Sequence, residues 1–424
     1  MALLSSGRFE VLRNRALTIL MLGHFTVDMY AGLLPVLYPL LTDRFELDLA
    51  NVGLVSLAYS GVASVSQPLF GWLADRYGTR LTGLALLWTG LAFATIGFAP
   101  TFPVLLLLAA AAGLGSGAFH PFGALNASAV IPDKQRNVAM SIYVTGGTIG
   151  VATGPLVGAV LFSLFGMRGT ALMALPGAGI ALWLLVAMRA GALGGRHGHA
   201  AGAAARPGPI PVAALSLVVA VMMLRMFTVM GFTAFIPVWY ESLGYGASFY
   251  GPLSTVMILA SAVGAIGSGS LADRFGRREV MLWTLAATIP ALLLFAQYPG
   301  PFAFVSGALV GLLAASTGPL LLVMAQQLMQ GRAGVASGLI LGLGFVAAAI
   351  GAPIFGALAD VVGMQHAVRL QVLVVLATVV VAWYLPSDAQ VQRLADAASE
   401  AAARAPGAAA HATPSPRSSA SPPA

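Results

Sequence analysis

His24 and Asp28 stand four residues apart in an apolar run, near 17–41, that is long enough to cross a hydrocarbon core of about 30 Å. On a helix that spacing is one turn, so the imidazole and the carboxylate share a face. Asp28 is the one carboxylate deep inside such a run. An ionised acid at that depth is costly unless it meets a polar cavity or a partner, and an acid so placed is suited to take up and release a proton. His120, followed by Pro121, falls near the middle of another run, and Arg225 near the middle of a third, so four ionisable groups occupy one depth. The chemistry they suggest is proton coupling: Asp28 carries the proton, His24 and His120 tune or relay it, and Arg225 either counters Asp28 or binds an anionic solute group. A packing interpretation stands beside it, in which each histidine bonds to a neighbouring helix and Arg225 only neutralises Asp28. Tyr38, Gln67, Asn126, Tyr143 and Gln326 are further polar positions on the runs and are expected to contribute to a binding cavity.

The elements that must position these groups are read from composition. With 58% hydrophobic and 8% charged residues, the chain falls far from the roughly 25% charged residues of a soluble domain. Apolar runs of membrane-spanning length lie near 17–41, 51–72, 81–99, 103–130, 138–165, 170–190, 211–239, 249–271, 279–297, 301–329, 334–359 and 366–385. Unpaired backbone groups facing lipid are too costly for anything but helices here, so an all-α membrane protein of twelve spans is expected. The formal charge of +7 does not indicate nucleic acid, because the basic residues are scattered over short loops. On these spans 17 of the 21 Lys/Arg fall on the side of the N terminus, and only Arg44, Arg168 and Arg369 fall opposite, which predicts cytoplasmic termini. There is no cysteine, and no cofactor or metal is expected. The first apolar run lacks an obvious cleavage site and is expected to remain as the first helix.

The segment Gly71-Trp-Leu-Ala-Asp75-Arg76-Tyr-Gly78-Thr-Arg80 recurs 198 residues later as Gly269-Ser-Leu-Ala-Asp273-Arg274-Phe-Gly276-Arg-Arg278. The same displacement relates Pro39 to Pro237, Gly113 to Gly311, Pro121 to Pro319, Pro155 to Pro353 and Gly158 to Gly356. The chain is therefore two copies of one six-helix unit, and repeats of this kind place a ligand site near the midplane between them. Gly71 and Gly269 allow close helix approach, and Gly78 and Gly276 permit tight turns. Asp75 and Asp273, with Arg76, Arg80, Arg274 and Arg278, supply charges that can hold one conformation shut. In the fifth run, Gly150, Gly154, Pro155 and Gly158 place small residues on one face.

The doubled Gly-x-Leu-Ala-Asp-Arg-x-Gly-x-Arg loop on twelve spans resembles the major facilitator superfamily, over essentially the whole chain outside its tail. Gly-x-x-x-Gly-Pro-x-x-Gly at 150–158 is similar to the antiporter signature of drug-exporting facilitators. His24-Phe-Thr-Val-Asp28, Tyr38-Pro39, Gln67-Pro68 and Phe119-His120-Pro121 together resemble the fosmidomycin-resistance family of facilitators. That resemblance implies proton-coupled efflux of small drugs across a bacterial inner membrane. The chain departs from the family at Phe122-Gly123-Ala124 and Asn126, where an acidic and then a basic residue are common. The expected activity is export of a small drug-like or anionic solute by alternating access. A proton symporter importing a carboxylate or other small metabolite, and a non-transporting receptor, stay open as alternatives.

The expected organisation is a bundle over 1–190, a cytoplasmic linker over 191–209, a second bundle over 210–385 and a largely disordered tail over 386–424 that starts with a short helix. Protons, a small molecule and the lipid bilayer are the expected partners of a monomer, with no nucleic acid and no enzymatic activity. The glycine run Gly113, Gly115 and Gly117 reads as helix packing rather than a phosphate loop, because no lysine follows it. Arg196, His197 and His199 read as a flexible loop, and Asp360 as a simple helix-end charge.

Overall fold

The computed structural model describes residues 14–130, 136–189, 208–330 and 332–404, and every regular element among them is helical. The first six spans are α1 (Arg15–Phe45), α2 (Leu49–Ser56, a π turn at Leu57–Gly61, then Val62–Tyr77), α3 (Thr82–Thr95 with a 3-10 extension to Phe98), α4 (Phe102–Ala129), α5 (Arg136–Phe165) and α6 (Ala174–Arg189). The next six are α7 (Val212–Thr233, then Ile236–Ser242), α8 (Ala247–Phe275), α9 (Arg277–Gln297), α10 (Ala303–Ala315 and Thr317–Leu328, broken at Ser316), α11 (Ala333–Val362) and α12 (Met364–Trp383). A last helix, α13 (Asp388–Arg404), is amphipathic and docks on the second group. The expected twelve-span, all-α membrane architecture is thus observed. Most of the expected linker and tail, including Arg196, His197 and His199, lies outside the described residues, as does the side chain of Asp75.

Local chemistry sets the helix ends. Asn14 caps α1 by accepting from the Leu17 N–H at 3.0 Å, and Asp48 caps α2 by accepting from the Asn51 N–H at 2.7 Å. Gly78, Gly276 and Gly363 end α2, α8 and α11 at φ of 83°, 94° and 81°, a region open to glycine and strained for other residues. Arg277 binds α13 down, its Nε donating to Asp388 Oδ1 at 2.5 Å and its backbone N–H to Oδ2 at 3.0 Å.

The sequence repeat becomes a packing repeat. In the first group α1 lies along α5, α2 along α4, and α3 along both α4 and α6; in the second, α7 lies along α11, α8 along α10, and α9 along both α10 and α12. Gly113, Gly115 and Gly117 press α4 onto the Tyr59 carbonyl, Thr89 and the Ala63 carbonyl, so this run is helix packing as expected. Between the groups α5 meets α8 and the start of α2 meets α11. These cross-group contacts gather at the end remote from the repeated loops: Gly53 backs onto Pro353, Gly356 onto Leu49, Gly251 onto Ala159, and Thr255 donates to the Ala152 carbonyl at 2.7 Å. At the loop end Gly267, Gly269, Gly338 and Gly342 have open space beside them, and Val335 is 63% exposed. The molecule is closed at one end and splayed at the other.

Candidate functional site

The turn of α1 between His24 and Asp28 delivers both side chains toward α4 and α5. His24 Nε2 stands 3.2 Å from Asp28 Oδ2, and His120 Nε2, from α4, stands 3.5 Å from Oδ1. One carboxylate therefore bridges two imidazoles, with its oxygens divided between them. His24 Nδ1 lies 2.8 Å from the Tyr143 carbonyl of α5. A carbonyl only accepts, so Nδ1 carries the hydrogen and the lone pair of a neutral His24 sits on Nε2, facing the carboxylate. Two electron-rich atoms at 3.2 Å require a cation between them, and a proton shared by the pair meets that requirement. The His24 ring stacks on the Tyr143 ring at 4.2 Å and meets the His120 ring edge-on at 5.3 Å, which fixes its plane. The side chains of His24, Asp28 and His120 retain 11%, 17% and 26% of their surface, so the cluster is desolvated but reachable.

Glycines on α5 make this geometry possible. A Cβ on Gly147 would fall 2.4 Å from Asp28 Oδ2, one on Gly150 2.1 Å from the Phe25 carbonyl, and one on Gly154 2.6 Å from the backbone of Gly32. Gly158 packs on Val36 and Leu33. Helices α1 and α5 thus touch backbone to backbone along the face that carries His24 and Asp28. Pro155 deprives the Val151 carbonyl of its helical partner, and that carbonyl lies against Gly32.

Arg225 does not counter Asp28, which corrects one of the two expectations for it. Its Nε donates to the Ala314 carbonyl at 2.8 Å, where α10 is about to break, and its NH1 approaches the Met226 sulfur at 3.2 Å. Its guanidinium lies flat over Gly318, with Cζ, NH1 and NH2 each 3.3 Å from a Cβ position there, closer than an ordinary methyl contact. Arg225 forms no ion pair among the described residues and is half-buried.

Two expected cavity residues are placed elsewhere. Asn126 is fully buried, accepting from Thr79 Oγ1 at 2.8 Å and donating to Thr82 Oγ1 at 2.9 Å, so its amide joins α4 to the start of α3. Tyr38 is fully buried at the closed end, hydrogen-bonded to Ser56 Oγ and packed near Phe235 of the opposite group. Spacing alone does not separate such interhelical bonds from cavity walls. Tyr143 contributes its ring and carbonyl to His24, while its buried hydroxyl has no hydrogen-bond partner among the described residues. Gln67 is partly exposed on α2, and Gln326 donates to Ser337 Oγ at 2.9 Å.

In the repeated loops Arg76 lies over Trp72 and Tyr77, Arg80 is exposed, Arg274 lies over Phe275, and Arg278 reaches the Trp383 carbonyl. Asp273 is exposed. Gly71 has only Pro121 at 4.0 Å from a Cβ position, and Gly269 has nothing. The contacts between the two groups lie at the other end. Asp360 is not a simple helix-end charge: its two oxygens accept from the backbone N–H of Leu49 and Ala50 at 2.9 and 3.0 Å, capping α2 from across the group boundary. The signal was present in the sequence as Gly356-Ala-Leu-Ala-Asp360-Val-Val-Gly363, which repeats the Gly-x-Leu-Ala-Asp-x-x-Gly of both loops.

Comparison with known proteins adds the family context. The family model described as Major Facilitator Superfamily matches residues 20–268 and 218–420. An uncharacterized MFS-type transporter, YfnC of Bacillus subtilis, is 31% identical over 88% of this chain and 93% of its own length. The fosmidomycin resistance protein of Escherichia coli is 27% identical over 80% of this chain and 85% of its own length. Among solved structures, a bacterial homolog of the human lysosomal transporter Spinster, inward-facing and occupied, superposes with a TM-score of 0.73 at 17% identity, covering 91% of this chain and 97% of that one. A point mutant of the nucleoside transporter NupG superposes at 0.71 with 13% identity, covering 87% and 99%.

Proposed function

The chain belongs to the Major Facilitator Superfamily, whose members are membrane transporters and not enzymes, and from that premise we propose that it is a proton-coupled exporter of a small drug-like or anionic solute. The observation that carries this reading is Asp28, bridged by His24 and His120 and still partly accessible. A proton entering the cluster converts the carboxylate-imidazole seam from repulsive to attractive, and its departure restores the repulsion. That is a charge change at one point between packed helices, able to bias which end of the molecule is closed. Arg225, on the other group, supplies a cation for an anionic solute, so proton and solute sit on opposite walls of one passage. The names of the relatives, a drug-resistance protein among them, support efflux.

In this reading two units, over 1–190 and 210–385, rock about the midplane, joined by the linker 191–209. The tail 386–424 begins with α13 and lies with both termini in the cytoplasm of a bacterium. The distribution of Lys and Arg supports that orientation, and it makes the splayed end of the structure the cytoplasmic one. The protein works as a monomer in the inner membrane.

Purified protein in proteoliposomes with an imposed pH gradient tests the proposal. Proton flux coupled to movement of a toxic amphiphile or organic anion is expected, together with raised drug tolerance of cells overproducing the protein. Solute moving in the same direction as the proton would replace export by symport, and no flux of either kind would leave a receptor.

A further inference from the structure

The requirement for a cation between His24 and Asp28 does not specify a proton. His24 Nε2, Asp28 and His120 Nε2 offer three ligand atoms that all lie within 4.8 Å of one another. Metal–nitrogen bonds of about 2.0–2.1 Å in a tetrahedral site put neighbouring ligand atoms roughly 3.3–3.5 Å apart. The observed separations are of that size, each to its own carboxylate oxygen, 3.2 Å from His24 Nε2 to Asp28 Oδ2 and 3.5 Å from His120 Nε2 to Oδ1. The outer shell matches as well. A ligating imidazole ordinarily donates its other nitrogen to a carbonyl or carboxylate, which fixes tautomer and plane; His24 does this with the Tyr143 carbonyl while its ring stacks on Tyr143. Gly147 lets α5 approach so closely that a Cβ there would stand 2.4 Å from Asp28 Oδ2 and 2.7 Å from His24 Nε2, so any side chain at 147 would displace both groups. The partial exposure of His120 leaves a fourth position open to water.

The second repeat gives independent support. Displaced by 198 residues, His24, Asp28 and His120 become Met222, Met226 and Gly318. Those three residues surround the Arg225 guanidinium: its NH1 approaches the Met222 and Met226 sulfurs at 3.7 and 3.2 Å, and it lies 3.3 Å from a Cβ position on Gly318. The C-terminal unit holds a permanent cation in the pocket whose N-terminal counterpart is walled by two imidazoles and a carboxylate. One architecture makes a cation pocket twice, filled covalently in one copy and by exchange in the other.

We propose that His24, Asp28 and His120 form a binding site for a borderline divalent transition-metal cation of the Zn2+, Co2+ or Ni2+ class, entered from the splayed end. Two nitrogen ligands and one oxygen ligand favour these ions over Mg2+ and Ca2+, which prefer all-oxygen shells.

The test uses full-length purified protein titrated with Co2+ and Zn2+. A bound equivalent with the visible absorption of tetrahedral Co2+ is expected in the native chain and in a His197→Ala/His199→Ala variant. His24→Gln and Asp28→Asn should each weaken it by about tenfold or more. Because the chain has no cysteine, His120→Cys adds a decisive signature: a sulfur-to-Co2+ charge-transfer band in the near ultraviolet, which a misfolded variant would not reproduce with one-to-one stoichiometry. Affinity unchanged in the triad variants, loss of binding with the linker histidines, or no charge-transfer band in a His120→Cys protein of native thermal stability would each overturn the site. The two proposals fail separately: proton-driven flux without metal binding removes only this one, and metal binding without pH-driven flux removes only the coupling.

Discussion

At the scale of single residues the central object is Asp28, whose two oxygens meet two imidazoles at 3.2 and 3.5 Å. Asp28→Asn removes the charge while keeping the shape, so solute binding should survive while flux driven by a pH gradient falls to background in proteoliposomes. Gradient-driven flux at the native rate in that variant would end the carrier assignment. Arg225→Gln should weaken binding of anionic solutes about tenfold or more, the equivalent of a charge-assisted hydrogen bond of roughly 1.5–3 kcal/mol. Equilibrium binding of an anionic and a neutral solute separates this from general damage, because the neutral one should be unaffected. His24 and Asp28 are legible in the sequence as a pair, since four residues make one helical turn. The contact with His120 is not, because 92 residues separate it from Asp28 and only the packing of α4 on α1 brings them together. Asn126 and Tyr38 illustrate the converse: a polar residue on an apolar helix signals a partner without saying whether that partner is solute or helix.

At the scale of elements the closed end depends on α2 and α11. Asp360 completes the cap of α2, so that Leu49, Ala50 and Asn51 all have their N–H groups accepted by side-chain oxygens. Losing a capping carboxylate costs about 1 kcal/mol. Since 1–2 kcal/mol is a factor of roughly 5–30 in a two-state ratio, Asp360→Ala should shift several-fold toward the arrangement open at this end. Spin labels placed across that end would show a longer distance population growing; an unchanged distribution would deny Asp360 a part in closure. Gly53→Val is the sterically stronger version, because a Cβ there meets the Pro353 backbone at 2.5 Å. It should leave the helices folded, by circular dichroism, while abolishing transport by preventing closure.

At the scale of the whole molecule, closure brings like charges together at the remote end. Glu241, in the short second piece of α7 and past its membrane-spanning stretch Val212–Val229, has its carboxyl proton affinity raised first by burial and then by Asp43 of the opposite group. A carboxyl whose pKa is higher in this conformation than in the open one favours it when protonated. The contribution is complete below the ordinary glutamate value and is lost as pH rises through the raised one. The population closed at that end should therefore grow on acidification, and Glu241→Gln should flatten this dependence in spin-label distances measured across pH. The sequence by itself determined the twelve helices, the repeat and the depth of the charged residues, because hydrocarbon thickness and the hydrogen-bonding demands of the backbone act on composition and local spacing alone. Only the tertiary structure decided which end is closed, that Arg225 stands apart from Asp28, and that Asp360 reaches across to α2. Those facts depend on how two similar units tilt against each other, and that tilt is set by contacts between residues some 300 positions apart, which no local pattern encodes.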